Sequence, residues 1–240
     1  MSSELLEFSN GAAGQVFTDA AGMQPFDVPR ALRTEEIAAV VQQYRQAALN
    51  ARAAGFDAVE LHGTSGYLPL QFLYSETNQR DDAYGGSAAN RARFAFECLR
   101  AMVDAIGAGR VGLRLNPGNE FNDCRDADSA ASHAELMRQA APLGLAWLEI
   151  MRAPTSDIDA FGMAREHFGG ALMLNDGFEA ETAERALEQG QGQAVSFARH
   201  FVANPDLVRR LREGLPLAKF DRKTLYTPGA AGYTDYPTLD

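Results

Sequence analysis

An alternation constrains this chain more than any other feature. Five short apolar runs, near residues 56–62, 111–116, 146–151, 171–175 and 193–198, are separated by amphipathic stretches of helical period. Runs this short and this apolar read as strands covered on both faces, and helical connections between them imply a parallel sheet. The first helix is expected from Thr34 to about Ala54, with Thr34 as N-cap and Glu35 and Glu36 in its acidic first turn. It places Ile37, Val40, Val41, Tyr44, Ala48 and Ala51 on one face, and Gly55 stops it. Further helices are expected near 90–106, 129–141, 180–189 and 205–213, with a short one before residue 171. Residues 1–30 read as an irregular segment that could hold a hairpin pairing 15–18 with 23–26, and a Gly-, Pro- and Tyr-rich tail begins at 219. No low-complexity linker interrupts the rhythm, so residues 1–240 are expected to form a single domain.

Five strand–helix units suit an open doubly wound sheet, whereas a closed (β/α)8 barrel needs eight strands in about 250 residues. The loops must decide between the two. Composition narrows the chemistry first. Lys and Arg total 22 against 32 Asp and Glu, a net charge of −10 that repels nucleic acid and anionic lipid. No apolar run reaches the roughly 20 residues of a membrane span, and Met1-Ser2-Ser3-Glu4 lacks a signal-peptide profile. Neither nucleic acid nor membrane is expected as a partner. Two cysteines and four scattered histidines argue against a protein metal site, and a reducing cytoplasm is the simplest compartment. Cys98 reads as a core helix residue, Cys124 as a loop thiol, and His133 and His167 as surface helix residues.

In either parallel architecture, function sits beyond the C-terminal strand ends. Four of these carry unusual residues. One run ends in His62-Gly63-Thr64-Ser65-Gly66-Tyr67-Leu68; another holds the single charge Arg114; a third leads into Asn175-Asp176-Gly177-Phe178; the last is Ser196-Phe197-Ala198-Arg199-His200. Gly63-Thr64-Ser65-Gly66 is no nucleophile elbow, because G-x-S-x-G would need glycine where Tyr67 stands. Bland readings exist for each residue: His62 bonded to backbone, Ser65 a turn residue, Tyr67 a packing ring. Arg80, Asp82, Asn90 and Arg91 read as a hydrogen-bonded loop bracing the helix after Gly86.

These residues, with Gln71-Phe72-Leu73, Asn78-Gln79-Arg80, Tyr84-Gly85-Gly86-Ser87, Asn90-Arg91, Arg93-Phe94, Ala203-Asn204-Pro205-Asp206-Leu207 and Gly232-Tyr233-Thr234-Asp235-Tyr236-Pro237, resemble the old yellow enzyme family. The resemblance runs from about Gln15 to the end. It implies a (β/α)8 TIM-barrel type of fold, FMN as cofactor, NADH or NADPH as reductant, and an α,β-unsaturated carbonyl as substrate. His62 and Ser65 would hydrogen-bond the substrate carbonyl and Tyr67 would protonate the α-carbon. Preorganised donors to developing oxyanion charge are worth roughly 3 kcal/mol each, and an ordinary tyrosine, with pKa near 10, is protonated at neutral pH. Arg114 would face the flavin, while the backbone around Asp176, Gly177, Ala198 and Arg199, with the Arg199 side chain, would hold its phosphate.

The chain departs from the family pattern at Ser65, where His or Asn is usual, at Asp176 and Ala198, where glycine is usual, and at His200, where proline is usual. The first three strand–helix units of the barrel have no counterpart. The expectation is therefore an incomplete barrel of about five units, with unpaired edges and a half-open apolar core, closed by a partner chain or by self-association. Two other functions stay open: a non-catalytic partner subunit that has lost flavin binding, and an isomerase or cyclase using the same donors without net redox change.

Overall fold

In the computed structural model, residues 15–18, 22–25, 30–224 and 229–239 are described. Gln15–Thr18 (β1) and Gly22–Pro25 (β2) pair antiparallel, Gln15 opposite Pro25, which gives the expected hairpin with a partner strand shifted by one residue. The remaining architecture divides into two compact units between Leu174 and Asn175.

In the first unit, Thr34–Ala53 (α1), Val59–His62 (β3), Leu68–Leu73 (α2), Ala88–Ile106 (α3), Val111–Leu115 (β4), Ser129–Ala140 (α4), Trp147–Met151 (β5), Ala160–His167 (α5) and Leu172–Asn175 (β6) follow in order, the last residue of β6 belonging to the second unit. Strands β3, β4, β5 and β6 lie side by side in that sequence, and β3, β4 and β5 run parallel. Thr34 is not the cap of α1. Its hydroxyl goes to Asp82, 2.5 Å away, and the Glu36 carboxylate accepts the Arg33 backbone N–H at 2.7 Å instead. The short α2 escapes sequence reading because six residues carry too little periodicity, although Pro69 in its first turn suits a helix start.

Register in a parallel sheet sorts side chains into rows. Leu61, Leu113 and Leu148 form one row; Leu115 and Ile150 form the next, and all five are at most 1% exposed. This side packs under the helices, where Phe72 and Phe94 stack with ring centroids 4.3 Å apart and Tyr44 meets Phe94 edge-on. The opposite side is not the half-open apolar surface expected above. Its rows are Glu60, Gly112 and Trp147, then His62, Arg114 and Glu149. Alternation was hidden because strands of four or five residues show only two or three positions per face.

The loop from 78 to 91 is structural, as its residue types suggested. Asn78 donates to the carbonyls of Phe72 and Tyr84, Arg80 to those of Leu32 and to Asp82, and buried Arg91 to Leu73 and Gly86 carbonyls and the Ser132 hydroxyl. His133 is a correction. It is fully buried, not on the surface, and its Nδ1 lies 2.9 Å from the Ser129 carbonyl of its own helix. His167 is partly covered, with its side chain 23% exposed. Cys98 and Cys124 are both buried.

The second unit carries Ala180–Glu188 (α6), Ala194–Val195 (β7), Arg199–Ala203 (α7) and Leu207–Glu213 (α8). The last strand is two residues long, not six, and the Asn175 amide reaches both Ser196 oxygens just beyond it. Arg210, almost fully buried, ties α8 to the tail by donating to Asp206 and to the carbonyls of Pro216 and Pro237. Among the described residues no helix is long and apolar enough to cross a membrane, and no cluster of three metal-ligating side chains occurs.

Candidate active site

The loop after β3 is built on two glycines with different jobs. A Cβ at Gly63 would lie 2.9 Å from the Arg114 carbonyl and from Leu115, so only glycine lets the chain leave β3 hard against β4. Gly66 sits at φ +78°, where a Cβ would meet Asn122 and Phe121. Ser65 between them is itself left-handed, φ 59°, a costly conformation for a residue with a side chain. Its carbonyl accepts the Asn122 amide at 2.9 Å, which holds the turn in place. Gln71 adds a bond to the Gly66 carbonyl at 2.7 Å.

This turn brings His62 and Tyr67 back toward each other. Their rings lie 5.3 Å apart at 50°, and the Tyr67 ring is more than half exposed, so its hydroxyl is accessible. Partial burial, reinforced by the Arg114 charge, lowers the His62 pKa below its ordinary value. The neutral ring still offers one N–H donor at neutral pH. The hydroxyls of Thr64 and Ser65 are 2.8 Å apart. Thr64 is fully buried, so its proton is best spent on Ser65, which leaves the Ser65 O–H to donate outward.

Arg114 stands beside His62 in register and is ion-paired to Glu149, its register neighbour on β5; its other nitrogen lies 3.3 Å from Met151 sulfur. Glu60, one row back, accepts the Trp147 indole N–H. Gly112 makes this possible: any Cβ there would collide with the indole that lies across β4. Burial, helped by Glu149 and opposed by the Trp147 bond, pushes Glu60 up to about 7. Glu60, Trp147, Glu149 and Asn122 were all missed in the sequence. The alternating polar positions of β3, β4 and β5 were the available signal.

The phosphate-loop candidates fall in the second unit. Asp176 and Gly177 are both left-handed, φ 75° and 72°, which explains why glycine suits position 176. The Asp176 carboxylate lies 3.7 Å from the Arg199 guanidinium, so each of these two charges partly offsets the other within the loops themselves. Ala198 has φ −100°, a conformation that carries a methyl without strain. His200 faces Glu179 at 3.7 Å.

The NADH:flavin oxidoreductase / NADH oxidase family model matches residues 2–218. The chain belongs to that family. It is 49% identical over 220 residues to a probable flavin mononucleotide-dependent alkene reductase of Leishmania infantum, covering 90% of this chain and 60% of that protein. It is 40% identical to 12-oxophytodienoate reductase 1 of Oryza sativa subsp. japonica over 94% of this chain and 62% of that one. Among solved structures, morphinone reductase in complex with tetrahydroNAD matches with a TM-score of 0.91 at 39% identity, and the old yellow enzyme from Trypanosoma cruzi with 0.93 at 28%. Both matches cover all of this chain and 66% of the solved one. The chain thus spans about three-fifths of the curated relatives, and the five parallel-sheet strands correspond to part of a family barrel.

Proposed function

We propose that this chain carries the substrate-gripping and phosphate-holding parts of an FMN-dependent reductase of activated C=C bonds. The observation that carries this reading is the convergence of His62 and Tyr67 at 5.3 Å with Arg114 in register beside His62. Each unit by itself carries a donor that suits part of FMN: Arg114 beside His62 in the first, and Arg199 beside the left-handed turn at Asp176 and Gly177 in the second. Arg114 would face the flavin ring, and the backbone of Asp176, Gly177 and Ala198 with the Arg199 side chain would hold the phosphate. When bound and reduced by NADH or NADPH, FMN supplies the two electrons for reducing an enone.

The chain's own residues do the rest. The neutral His62 N–H and the Ser65 O–H, relayed from Thr64, hydrogen-bond the substrate carbonyl and draw charge onto its oxygen. Tyr67 then gives its phenolic proton to the α-carbon. As a protein partner we propose a complementing chain or a second copy of this one; the native mass of the particle tests this. A reducing cytoplasm fits the two buried thiols.

The test is turnover of 2-cyclohexenone by purified protein with FMN and NADPH. Tyr67→Phe should lose about 10²–10⁴-fold in rate, the usual weight of a general acid, while keeping flavin. Wild-type turnover in that variant would refute the assignment. The pairing of Asp176 with Arg199 favours one rival, a subunit without flavin. A colourless protein after FMN is added, with an unchanged partner complex, would establish that rival.

A further inference from the structure

The buried polar rows behind His62 contain more charge than substrate binding needs. Glu60 on β3 is faced by Arg114 on β4, by Trp147 and Glu149 on β5, and by His62 two residues along its own strand. Two carboxyl groups, Glu60 and the nearly buried Glu149, thus share one face of the sheet, with a single guanidinium, Arg114, on the strand between theirs. One cation balances only one of two neighbouring, partly buried carboxylates, so the other is held as the acid. Glu149 already accepts the Arg114 ion pair, so Glu149 is the anion and Glu60 the acid.

We propose that Glu60 and Glu149 hold one proton between them, on Glu60, while Glu149 positions Arg114, making the charge on this face of the sheet responsive to pH. Below the transition, Arg114 and Glu149 cancel and Glu60 is neutral. Above it the cluster gains one negative charge, which works against any anion seated on Arg114. Burial and the neighbouring Glu149 both raise the value at which Glu60 ionises, to about 7. The carboxyl-pair half of the proposal stands without flavin; its consequence for ligand affinity rests on the functional reading above.

The chain supplies its own probe, because Trp147 is the only tryptophan and its N–H is bonded to Glu60. In flavin-free protein, tryptophan emission followed from about pH 5 to about pH 9 should show one transition near neutrality. Glu60→Gln, which keeps an acceptor for the indole, should abolish it. Glu149→Gln should move it down by about one unit or more, since the neighbouring anion is gone. His62→Gln should retain it, which separates the carboxyl pair from the histidine. Flat emission in the wild type, or a transition that survives Glu60→Gln, overturns the proposal. Should a glutamine variant fail to fold, infrared spectra of the wild type must show a protonated-carboxyl stretch that disappears through the same transition; its absence is equally fatal. FMN affinity should weaken about fivefold across the transition in the wild type and stay level in Glu60→Gln. No flavin binding at any pH, with the tryptophan transition intact, would sink the functional reading and leave the carboxyl pair standing.

Discussion

The two faces of β3, β4 and β5 share a backbone and a register, yet they obey opposite rules. Leu61, Leu113 and Leu148 make a dry row on the helix side, while Glu60, Gly112 and Trp147, then His62, Arg114 and Glu149, make charged rows on the other. One face supplies folding energy by burying apolar area. The other spends some of that energy to hold ionisable groups close together at a strand end. A single residue step along any of these strands changes which rule applies, so substitutions one position apart should report on different properties.

The strongest break of this division is expected behind the dry face, at Arg91. Its guanidinium is buried, donates to Leu73, Gly86 and Ser132, and lies 3.7 Å from the fully buried Asp126 side chain. Arg91→Met should cost about 3–5 kcal/mol, because it leaves the buried Asp126 carboxylate and Leu73 carbonyl without the guanidinium. Chemical denaturation measures it; a loss within about 1 kcal/mol would show that water replaces the guanidinium. Leu113→Ala comes next at about 2–5 kcal/mol, the cost of a cavity in a fully buried row. The adjacent Arg114→Ala should also cost stability, about 1–3 kcal/mol, but by a different route, because it leaves the nearly buried Glu149 carboxylate unpaired; adding Glu149→Gln should restore most of that loss, and no restoration would dissolve the distinction.

Gly112→Ala sharpens the comparison from the polar side. The added methyl must push the Trp147 indole off β4 and away from Glu60, at about 1–3 kcal/mol of overpacking. Tryptophan emission should shift even if the melting temperature falls only slightly. Unchanged emission would mean that the indole has room that its packing across β4 does not provide.

How much of this was legible in the sequence follows the same division. The dry face was readable, since Leu113, Leu115, Leu148 and Ile150 are alternate members of largely apolar runs, and helix limits fell close to expectation. The turn from His62 to Tyr67 was readable as a turn, because Gly63 and Gly66 frame it. The charged rows were not, because Glu60, Trp147 and Glu149 each look like an isolated interruption until register sets them beside Arg114. His133 was misread for a related reason: a histidine in a polar stretch looks exposed, but the Ser129 carbonyl one turn back satisfies its ring and lets it go inside. The two-residue β7 lost most of its expected length, and sequence pattern alone has no means of seeing where ladder bonds stop.

The smallest net effect is expected from pH, because the two faces pull in opposite directions. His133, fully buried behind the dry face, has its pKa lowered from 6.5 to about 4, chiefly by burial. A base held neutral in this way contributes stability that is complete above 6.5 and is lost as pH falls through about 4. Glu60 is raised from 4.5 to about 7, also chiefly by burial. The folded state holds its proton longer than the unfolded chain does, so its contribution is complete below 4.5 and is lost as pH rises toward 7. Across the shared window one slope rises and the other falls, and the wild type should be nearly level there. The variants separate them: Glu60→Gln should leave a curve that rises with pH, and His133→Gln one that falls. Parallel curves in the two variants, measured by denaturant melts at several pH values, would mean that neither group differs between the folded and unfolded chain as its surroundings require.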